Sequence, residues 1–369
     1  MKTYYALGLM SGSSLDGLDI AYCRINWQNN AVVDWEIIEA ATLPFTEQWQ
    51  RRLSHLPTQN ALVFAKTHTY FGHYIATLVQ EFVAEYKPTK IDFIASHGHT
   101  IFHEPDKRLS VQIGDGAAIA AQTGYQTITD FRTQDVALNG EGAPLAPLAD
   151  KYLFEGFDFY LNIGGIANLS AHLNGHWLAL DTSPANQILN TLAEQKGAAY
   201  DDRGQWASQG KVLPALLQQA AQLDYYPKPA PKSIGNGWVQ QEVLPIYLAA
   251  EGSTEDKLAT ACEHTAIEIA KSIAALLQQY PTPKKQYKML LSGGGVFNDY
   301  LIETIDEYCN EVADINLQIP SPQIIGFKEA ALMALLGVLR LEEQPNSWRS
   351  TTGADRDTVN GAVYAGYKS

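Results

Sequence analysis

A turn rich in glycine and hydroxyl groups, near the start of the chain, is the first place where residue types and spacing suggest chemistry. A hydrophobic run over 4–10 leads into it and a second one over 18–25 leaves it, which predicts a β-hairpin. Because glycine has no side chain, backbone N–H groups at such a tip can approach a phosphate closely. The candidate phosphate contacts are Gly12, Ser13, Ser14, Leu15, Asp16, Gly17, Leu18 and Asp19.

The two commonest nucleotide motifs do not fit this turn. No Gly-Lys-Ser/Thr follows it, and the next segment has the pattern of a strand, whereas both the Walker loop and the dinucleotide fingerprint lead into a helix. A nucleotide held here would therefore belong to a different fold class. Asp16 could hold Mg²⁺ through water, because Mg²⁺ keeps much of its hydration shell. The alternative is that Asp16 forms an Asx turn and only shapes the loop.

Two further glycine-rich turns follow predicted strands. The hydrophobic run 157–163 ends in Gly164-Gly165, and the run 288–291 ends in Ser292-Gly293-Gly294-Gly295. Together with the first turn, they resemble the glycine turns of the actin and hexokinase superfamily. That resemblance implies that Gly164, Gly165 and Asn168 contact phosphate, and that Gly293 and Gly294 let a nucleoside lie against the backbone. Either turn alone is equally well explained by plain loop geometry.

The elements that must position these turns occur twice along the chain. The order strand-strand-strand-helix-strand-helix-strand is predicted in each half, although no residue-by-residue repeat aligns. The first half contains the runs 4–10, 18–25, 35–42, 61–86, 91–96, 116–122 and 126–130. The second contains 157–163, 167–173, 177–181, 185–195, 259–280, 288–291, 315–319 and 327–341. We predict an α/β fold of two similar domains with mixed sheets, over 1–131 and 132–344, with a tail from about 345 to 369 that can pack back on the first.

Bulk properties exclude several classes of function. The chain has 369 residues, 46% of them hydrophobic and 18% charged, which suits two ordinary globular domains. A formal net charge of -14 disfavours a nucleic-acid partner, because phosphate backbones attract surplus Lys and Arg. The three cysteines are widely spaced, so we expect no disulfide framework and a cytoplasmic location. We expect neither a signal peptide nor a membrane span, because no apolar run of about 18 residues occurs.

A specific resemblance is carried by the segment 8–17 together with a series of ordered blocks. These blocks are Ser96-His97-Gly98-His99-Thr100, Gln112-Ile113-Gly114-Asp115, Asp130-Phe131-Arg132 with Asp135, Gly142-Ala143-Pro144-Leu145, the run 162–168, Asp181-Thr182, the run 292–295 and Lys328-Glu329-Ala330. Over essentially the whole chain they resemble the anhydro-N-acetylmuramic acid kinases. Ser13 and His99 depart from the residues usual in that family, Thr and Gln.

The resemblance implies two actin/hexokinase-like domains flanking an ATP cleft, and an ATP- and Mg²⁺-dependent kinase. Such an enzyme opens 1,6-anhydro-N-acetylmuramic acid with water and phosphorylates O6, giving N-acetylmuramic acid 6-phosphate and ADP in cell-wall recycling. Asp181 is implied as the general base that takes a proton from the attacking water. On the residues alone, Asp181 would more simply cap the helix predicted over 185–195.

The blocks also imply three residues that contact the sugar: His97, Arg132 and Glu329. The alternative for Arg132 is a surface ion pair with Asp130 or Asp135. For Glu329, the alternative is that it opens the last helix and complements the helix dipole. The spacing of His97, His99 and His103 would admit a metal ion, but the matching block of the family carries none, so we expect no resident metal.

Two other functions remain open at this stage. One is a kinase for another 1,6-anhydro sugar such as levoglucosan, which lacks the lactyl carboxylate and needs no cationic pocket for it. The other is an ATP-driven binding or chaperone-like module of the actin superfamily, although such proteins lack the Asp181 block. We expect a small-molecule sugar as partner, no nucleic acid and no membrane. The family suggests a homodimer.

Overall fold

The computed structural model describes residues 1–12, 14–230 and 232–367; Ser13, one of the predicted phosphate contacts, lies outside the described residues. The chain forms two compact units, one of Met1–Glu155 with Gly326–Ser369 and the other of Gly156–Ile325. Residues 132–155 and 326–344, which the sequence prediction placed in the second domain, thus belong to the first unit. No helix within the described residues is long and apolar enough to cross a membrane.

The first unit is built on a seven-stranded mixed sheet in the order β12-β6-β4-β1-β2-β3, with β5 paired to β4. Its strands are β1 Lys2–Ser11, β2 Gly17–Gln28, β3 Ala31–Pro44, β4 Phe93–Glu104, β5 Leu109–Ile113, β6 Thr127–Thr129 and β12 Ala362–Tyr364. Its helices are α1 Glu47–His55, α2 Ala61–Tyr86, α3 Gly116–Thr123, α4 Thr133–Ala137, α5 Ala146–Tyr152, α12 Pro322–Leu341, which begins in the other unit, and α13 Arg349–Thr352.

The second unit has a five-stranded sheet in the order β11-β10-β7-β8-β9. Its strands are β7 Phe159–Ile163, β8 Ile166–Leu173, β9 His176–Pro184, β10 Gln286–Ser292 and β11 Asp314–Gln318. Its helices are α6 Asn186–Glu194, α7 Pro214–Ala221, α8 Asn236–Trp238, α9 Leu244–Ala249, α10 Thr254–Gln279 and α11 Asp299–Val312, with a π-helical turn Val239–Val243 between α8 and α9.

The two sheets share one plan. In each, three antiparallel strands follow one another in the chain, and the first of them pairs in parallel with a strand that arrives after a helical segment. A further parallel strand then lies outside that one. The order β3-β2-β1-β4-β6 therefore corresponds to β9-β8-β7-β10-β11, and the predicted structural duplication is confirmed.

The central strand β1 shows why the sheet of the first unit is stable. Residues Ala6 to Leu9 are buried without alternation, as expected for a strand covered on both faces. Helix α12 packs against one face of β1 at very short range. A Cβ on Gly8 would lie 1.8 Å from the carbonyl oxygen of Ala330. Glycine at position 8 is therefore what allows the helix to lie against the strand.

Two details differ from the sequence prediction. The strand predicted over 91–96, just before His97-Gly98, runs instead from Phe93 to Glu104 and pairs with β5. Gly98 has a φ of 72°, so the chain bends there without leaving the sheet. The last helix begins at Pro322 rather than near residue 327, so Glu329 lies inside the helix and does not complement its N-terminal dipole.

The C-terminal segment packs within the first unit. Strand β12 pairs antiparallel with β6. The buried carboxylate of Asp135 accepts hydrogen bonds from the hydroxyls of Ser347, at 2.6 Å, and Thr352, at 2.8 Å. It also accepts one from the N–H of Gly142, at 2.8 Å. This carboxylate joins the segment after β6 to the tail, which explains why both belong to the same unit.

We predict that Gly8→Ala destabilises the protein, because the added methyl group would force helix α12 away from β1. The expected loss in the free energy of unfolding, measured by urea denaturation, is about 1–3 kcal/mol or more. Gly326→Ala is the matched control on the same helix, since a Cβ there meets no atom within 4 Å. The control should gain about 0.5–1 kcal/mol from helix propensity. Equal unfolding midpoints for the two variants would contradict the close approach.

Candidate active site

The first glycine-rich turn forms the tip of the β1–β2 hairpin, whose register runs from Lys2 opposite Trp27 to Met10 opposite Asp19. The predicted hairpin is therefore confirmed. At the tip, one carboxylate oxygen of Asp16 accepts from the hydroxyl of Ser14, at 2.7 Å, and from the N–H of Gly17, at 3.0 Å. Asp16 thus shapes the loop, and its other oxygen is not used in these two bonds.

Some of the glycines in the three turns are required by packing within their own unit. A Cβ on Gly17 would lie 2.6 Å from the carbonyl oxygen of Leu43. Gly293 has a φ of 84°, and a Cβ on it would lie 2.6 Å from the carbonyl oxygen of Ile163. Loop geometry alone accounts for glycine at these two positions.

Other glycines in the turns have room for a Cβ atom, which would make only ordinary van der Waals contacts. The nearest atom to such a Cβ would be 3.6 Å away at Gly12 and Gly164, and 3.9 Å away at Gly294. Gly165 is intermediate, with the side chain of Gln187 at 3.0 Å. Packing within the described residues does not demand glycine at Gly12, Gly164 and Gly294, so the absence of a side chain there suits the close approach of a ligand to the backbone.

Leu18 and Asp19, two predicted phosphate contacts at the start of β2, differ in the groups that they can present to a ligand. The side chain of Leu18 is 1% exposed in the core, so only its backbone could face a ligand. The carboxylate of Asp19 accepts from the hydroxyl of Thr42 at 2.5 Å. Burial raises the pKa of Asp19, the bond from Thr42 opposes this shift, and the nearby Asp16 adds to it.

Arg132 is held by two acceptors in the first unit. Its Nε–H donates to Nε2 of His97 at 3.0 Å, and its Nη1 donates to the carbonyl oxygen of Gly142 at 3.2 Å. Since Asp135 is bonded to the tail and Asp130 accepts from the N–H of Thr133, the expected alternative of an ion pair with either is wrong.

His97 is neutral and fully engaged. Burial, followed by the charge of Arg132, lowers the pKa of His97 to about 3. Its Nδ1 lies 3.0 Å from the carbonyl oxygen of Gly98, so Nδ1 carries the proton and Nε2 is the acceptor for Arg132. The ring therefore positions the guanidinium.

The other two histidines of the sequence cluster have separate partners. His99 Nδ1 lies 3.0 Å from the hydroxyl of Ser11, and His103 Nδ1 lies 3.1 Å from the hydroxyl of Ser110. Burial lowers the pKa of His99, which favours its neutral form. Within the described residues, no group of three or more His, Cys, Asp or Glu side chains is arranged to hold a metal ion.

Glu329 lies near two other predicted site residues of the first unit. Burial raises the pKa of its carboxyl, the charge of Asp19 raises it further, and Arg132 opposes the shift. The carboxyl of Glu329 is therefore within electrostatic reach of both Asp19 and Arg132.

Asp181 lies in β9 and has hydrogen-bond donors on both carboxylate oxygens. Oδ1 accepts from the side-chain amide of Asn168, and Oδ2 accepts from the N–H of Ile234 at 2.7 Å. Burial raises the pKa of Asp181, and these two donors oppose the shift. Helix α6 has Ala185 as its N-cap, with no side-chain bond there, so the N-cap alternative for Asp181 is wrong.

The backbone of Asp181 is fixed as well. Its N–H donates to the carbonyl oxygen of Lys232 at 2.9 Å, and its carbonyl oxygen accepts from the hydroxyl of Tyr225 at 2.8 Å. Both partners lie in the segment 225–234, which also contributes Ile234. The sequence prediction did not include this segment.

A chain of side-chain amides links Asp181 to the third glycine turn. The hydroxyl of Ser292 donates to Asn162 at 3.4 Å, and the amide of Asn162 donates to Asn168 at 3.5 Å. Asn168, predicted to contact phosphate, gives an N–H of its side-chain amide to Asp181. Asn162 was missed as a site residue, although it lies inside the block 162–168.

Comparison with known proteins gives one consistent family. The anhydro-N-acetylmuramic acid kinase family model matches residues 4–366. The kinase of that name from Hydrogenovibrio crunogenus is 34% identical, with 97% of each chain covered. The kinase from Sulfurovum sp. is 32% identical, over 97% of this chain and 98% of its own. The kinase from Vibrio cholerae is also 32% identical, over 97% of each chain. The chain belongs to the anhydro-N-acetylmuramic acid kinase family.

The repeated sheet order gives a mixed α/β fold with one sheet in each unit, as the sequence predicted. A solved structure, the activator of the 2-hydroxyisocaproyl-CoA dehydratase from Clostridium difficile with bound ADPNP, overlaps loosely. It covers 92% of this chain and 97% of its own, with 13% identity and a TM-score of 0.41.

We predict that His97→Ala destabilises the first unit, because the Nε–H of the partly buried Arg132 loses its acceptor. The expected loss in the free energy of unfolding is about 1–3 kcal/mol. His97→Gln is the matched variant, since a glutamine oxygen can take the place of Nε2, and it should recover most of that loss. Urea denaturation at pH 7 measures both. Equal stability of the Ala variant and the wild type would show that the bond does not hold Arg132.

Proposed function

We propose that this protein is the ATP-dependent kinase that opens 1,6-anhydro-N-acetylmuramic acid and phosphorylates O6, giving N-acetylmuramic acid 6-phosphate and ADP. The observation that carries the proposal is the carboxylate of Asp181, fixed through both oxygens and both backbone groups in a chain of this family. A carboxylate held in this way is oriented before the substrate arrives, which is what a general base requires.

In the proposed reaction, Asp181 accepts a proton from water as the water oxygen attacks the anomeric carbon. The bond between that carbon and O6 breaks, and the electron pair stays on O6. O6 then attacks the γ-phosphorus in line with the bond to ADP, which leaves. Burial keeps the pKa of Asp181 above its ordinary value, so the carboxylate is a better proton acceptor than one in water.

Phosphoryl transfer requires positioning and charge neutralisation more than covalent chemistry. We assign the phosphate contacts to the hairpin tip and to the backbone at Gly164, and the nucleoside contact to Gly294, because packing does not demand glycine at Gly12, Gly164 or Gly294. Mg²⁺ neutralises phosphate charge when it is bound. The carboxylate of Asp16 is the group proposed to hold it, through water, with the oxygen that the loop does not use.

We assign the sugar contacts to Arg132 and Glu329, with His97 positioning Arg132. A guanidinium held through Nε and one Nη1–H has other N–H groups left, and these suit a carboxylate or a developing phosphate charge. Levoglucosan has no carboxylate that could pair with the guanidinium of Arg132, and the names of the relatives do not favour it as the substrate. The cytoplasmic location and a homodimer remain predictions.

The substrate is tested with purified protein, ATP, Mg²⁺ and 1,6-anhydro-N-acetylmuramic acid. ADP should form only when the sugar is present, and ¹⁸O from labelled water should enter at the anomeric carbon and not in the phosphate. Levoglucosan should be a poorer substrate by kcat/KM. Equal ADP formation without sugar would remove the kinase assignment, and a preference for levoglucosan would remove the muramic acid assignment.

We predict that Asp181→Asn lowers kcat by about 10²–10⁴-fold, because an amide cannot accept the proton. Titration with ADP should show nucleotide binding retained, since Asp181 is not assigned to the nucleotide. Asp224→Asn, which removes an exposed carboxylate of the same unit, is the control and should keep full activity. An active Asn variant would show that another group is the base.

We predict that Asn168→Ala moves the acid limb of the kcat profile to higher pH. Asp181 acts as a base only when it is ionised, so activity falls as the pH falls through its pKa. Removing a donor to the carboxylate raises that pKa further. Asn316→Ala, on the exposed side of β11, is the control. An unchanged acid limb in the Asn168 variant would mean that Asp181 does not set it.

A further inference from the structure

A cavity of about 710 Å³ lies in the second unit, next to the edge strand β9. Its walls are formed by the end of α7, the segment that follows it, and the C-terminal half of α10. Its lining includes none of the residues assigned above to ATP, the sugar or the proton transfer. A cavity of this volume accommodates a small organic molecule.

The charge of the lining is opposite to that of the chain. Lys228, Lys232 and Lys271 line the cavity with a single carboxylate, Glu268, whereas the whole chain has 26 basic and 40 acidic residues. Glu268 is 3% exposed and forms an ion pair with Lys271 at 2.7 Å. Its charge is therefore neutralised. Lys228 and Lys232 have no ion-pair partner among the residues that the structure describes.

The ammonium of Lys232 can donate further hydrogen bonds to a ligand in the cavity. It has three N–H groups and gives one to the carbonyl oxygen of Tyr226, at 2.8 Å. Leu223 and Leu276 add apolar surface for the body of a ligand.

The cavity shares a segment with Asp181. Lys232, whose side chain lines the cavity, accepts the backbone N–H of Asp181 through its carbonyl oxygen, at 2.9 Å. Tyr225 and Ile234, on either side, donate to Asp181 at 2.8 and 2.7 Å. A ligand that moves or stiffens the segment 225–234 would therefore change the position of the carboxylate.

We propose that this cavity is a second ligand site, for a small organic phosphate monoester, and that its occupant changes turnover through the segment 225–234. The two unpaired lysines match the two negative charges of a phosphate monoester, and the leucines face its organic part. The effect on turnover rests on the function proposed for Asp181. The binding of the anion does not.

The binding experiment uses the full chain with saturating ADP and Mg²⁺, so that the nucleotide site is already filled. N-acetylglucosamine 6-phosphate is the probe in isothermal titration calorimetry, and unphosphorylated N-acetylglucosamine is the uncharged analogue. The Lys228→Gln/Lys232→Gln variant should bind the probe about tenfold more weakly or worse, because charge-assisted hydrogen bonds are lost. Lys228→Gln alone changes an exposed residue, so it preserves the fold and should weaken binding in the same direction.

The matched control is Lys211→Gln/Lys285→Gln, which removes two exposed lysines of the same unit outside the cavity and should leave binding unchanged. If the control variant bound the probe as weakly as the Lys228→Gln/Lys232→Gln variant, the chain would attract the anion through its general charge, and the proposal would be overturned. Failure of the wild type to bind the probe while ADP fills the nucleotide site would also overturn it. Inorganic phosphate should bind more weakly than the probe. Equal binding would mean that the site takes the free anion and no organic phosphate.

Turnover is measured in a separate experiment with and without the probe. In the wild type, the probe should change kcat by about fivefold without competing with ATP, and this effect should vanish in the Lys228→Gln/Lys232→Gln variant. Binding of the probe without any change in kcat would overturn the proposed coupling to Asp181, whereas the proposal of a second ligand site would stand. If the kinase activity itself were absent, calorimetry would still decide whether the cavity binds the anion.

Discussion

A carboxylate removed from water stays useful as a base only if the protein replaces part of its hydration, and this constraint governs the second unit. Burial disfavours the charged form of Asp181, while two N–H donors favour it. One donor is a side chain on the neighbouring strand β8, and the other is the backbone of a segment that returns to the sheet edge. The amides at 162 and 168 and the loop 225–234 are thus explained by one requirement: a carboxylate that is partly buried and still ionisable.

In both units, the duplicated sheet holds the glycine-rich turn and the neighbouring side chains in place. Each first hairpin carries its glycine-rich turn at one end of a buried strand, so the turn inherits the rigidity of the strand pair. In the first unit, Arg132 comes from the segment after β6 and Glu329 from α12, and both depend on the same sheet for their positions. A neutral His97, bonded on both ring nitrogens, then fixes the guanidinium without adding charge. The proposed chemistry depends on a few side chains, which the elements of each sheet hold in place.

Local signals in the sequence were sufficient for much of this fold. The hairpin of 4–10 and 18–25 follows from hydrophobic runs around a glycine-rich tip, and the helix over 61–86 has the predicted bounds. Pairing between distant segments was not visible: Gly98 resembled the end of a strand, because nothing local shows that residues 109–113 extend the sheet. Motif blocks identified Asp181, but its partner Ile234 lies 53 residues further on in an irregular segment, where no periodicity marks it.

The close contact of Gly8 with α12 has a consequence for how the protein is made. The first unit consists of two pieces of chain, and the helix that covers β1 is synthesised only after the whole second unit. During translation, β1 stays uncovered until α12 has been synthesised. Residues 156–325, in contrast, form a continuous piece of chain that can fold as it emerges from the ribosome. The unit that is synthesised later can therefore complete its fold first, and the unit that begins the chain is completed only when α12 has been synthesised.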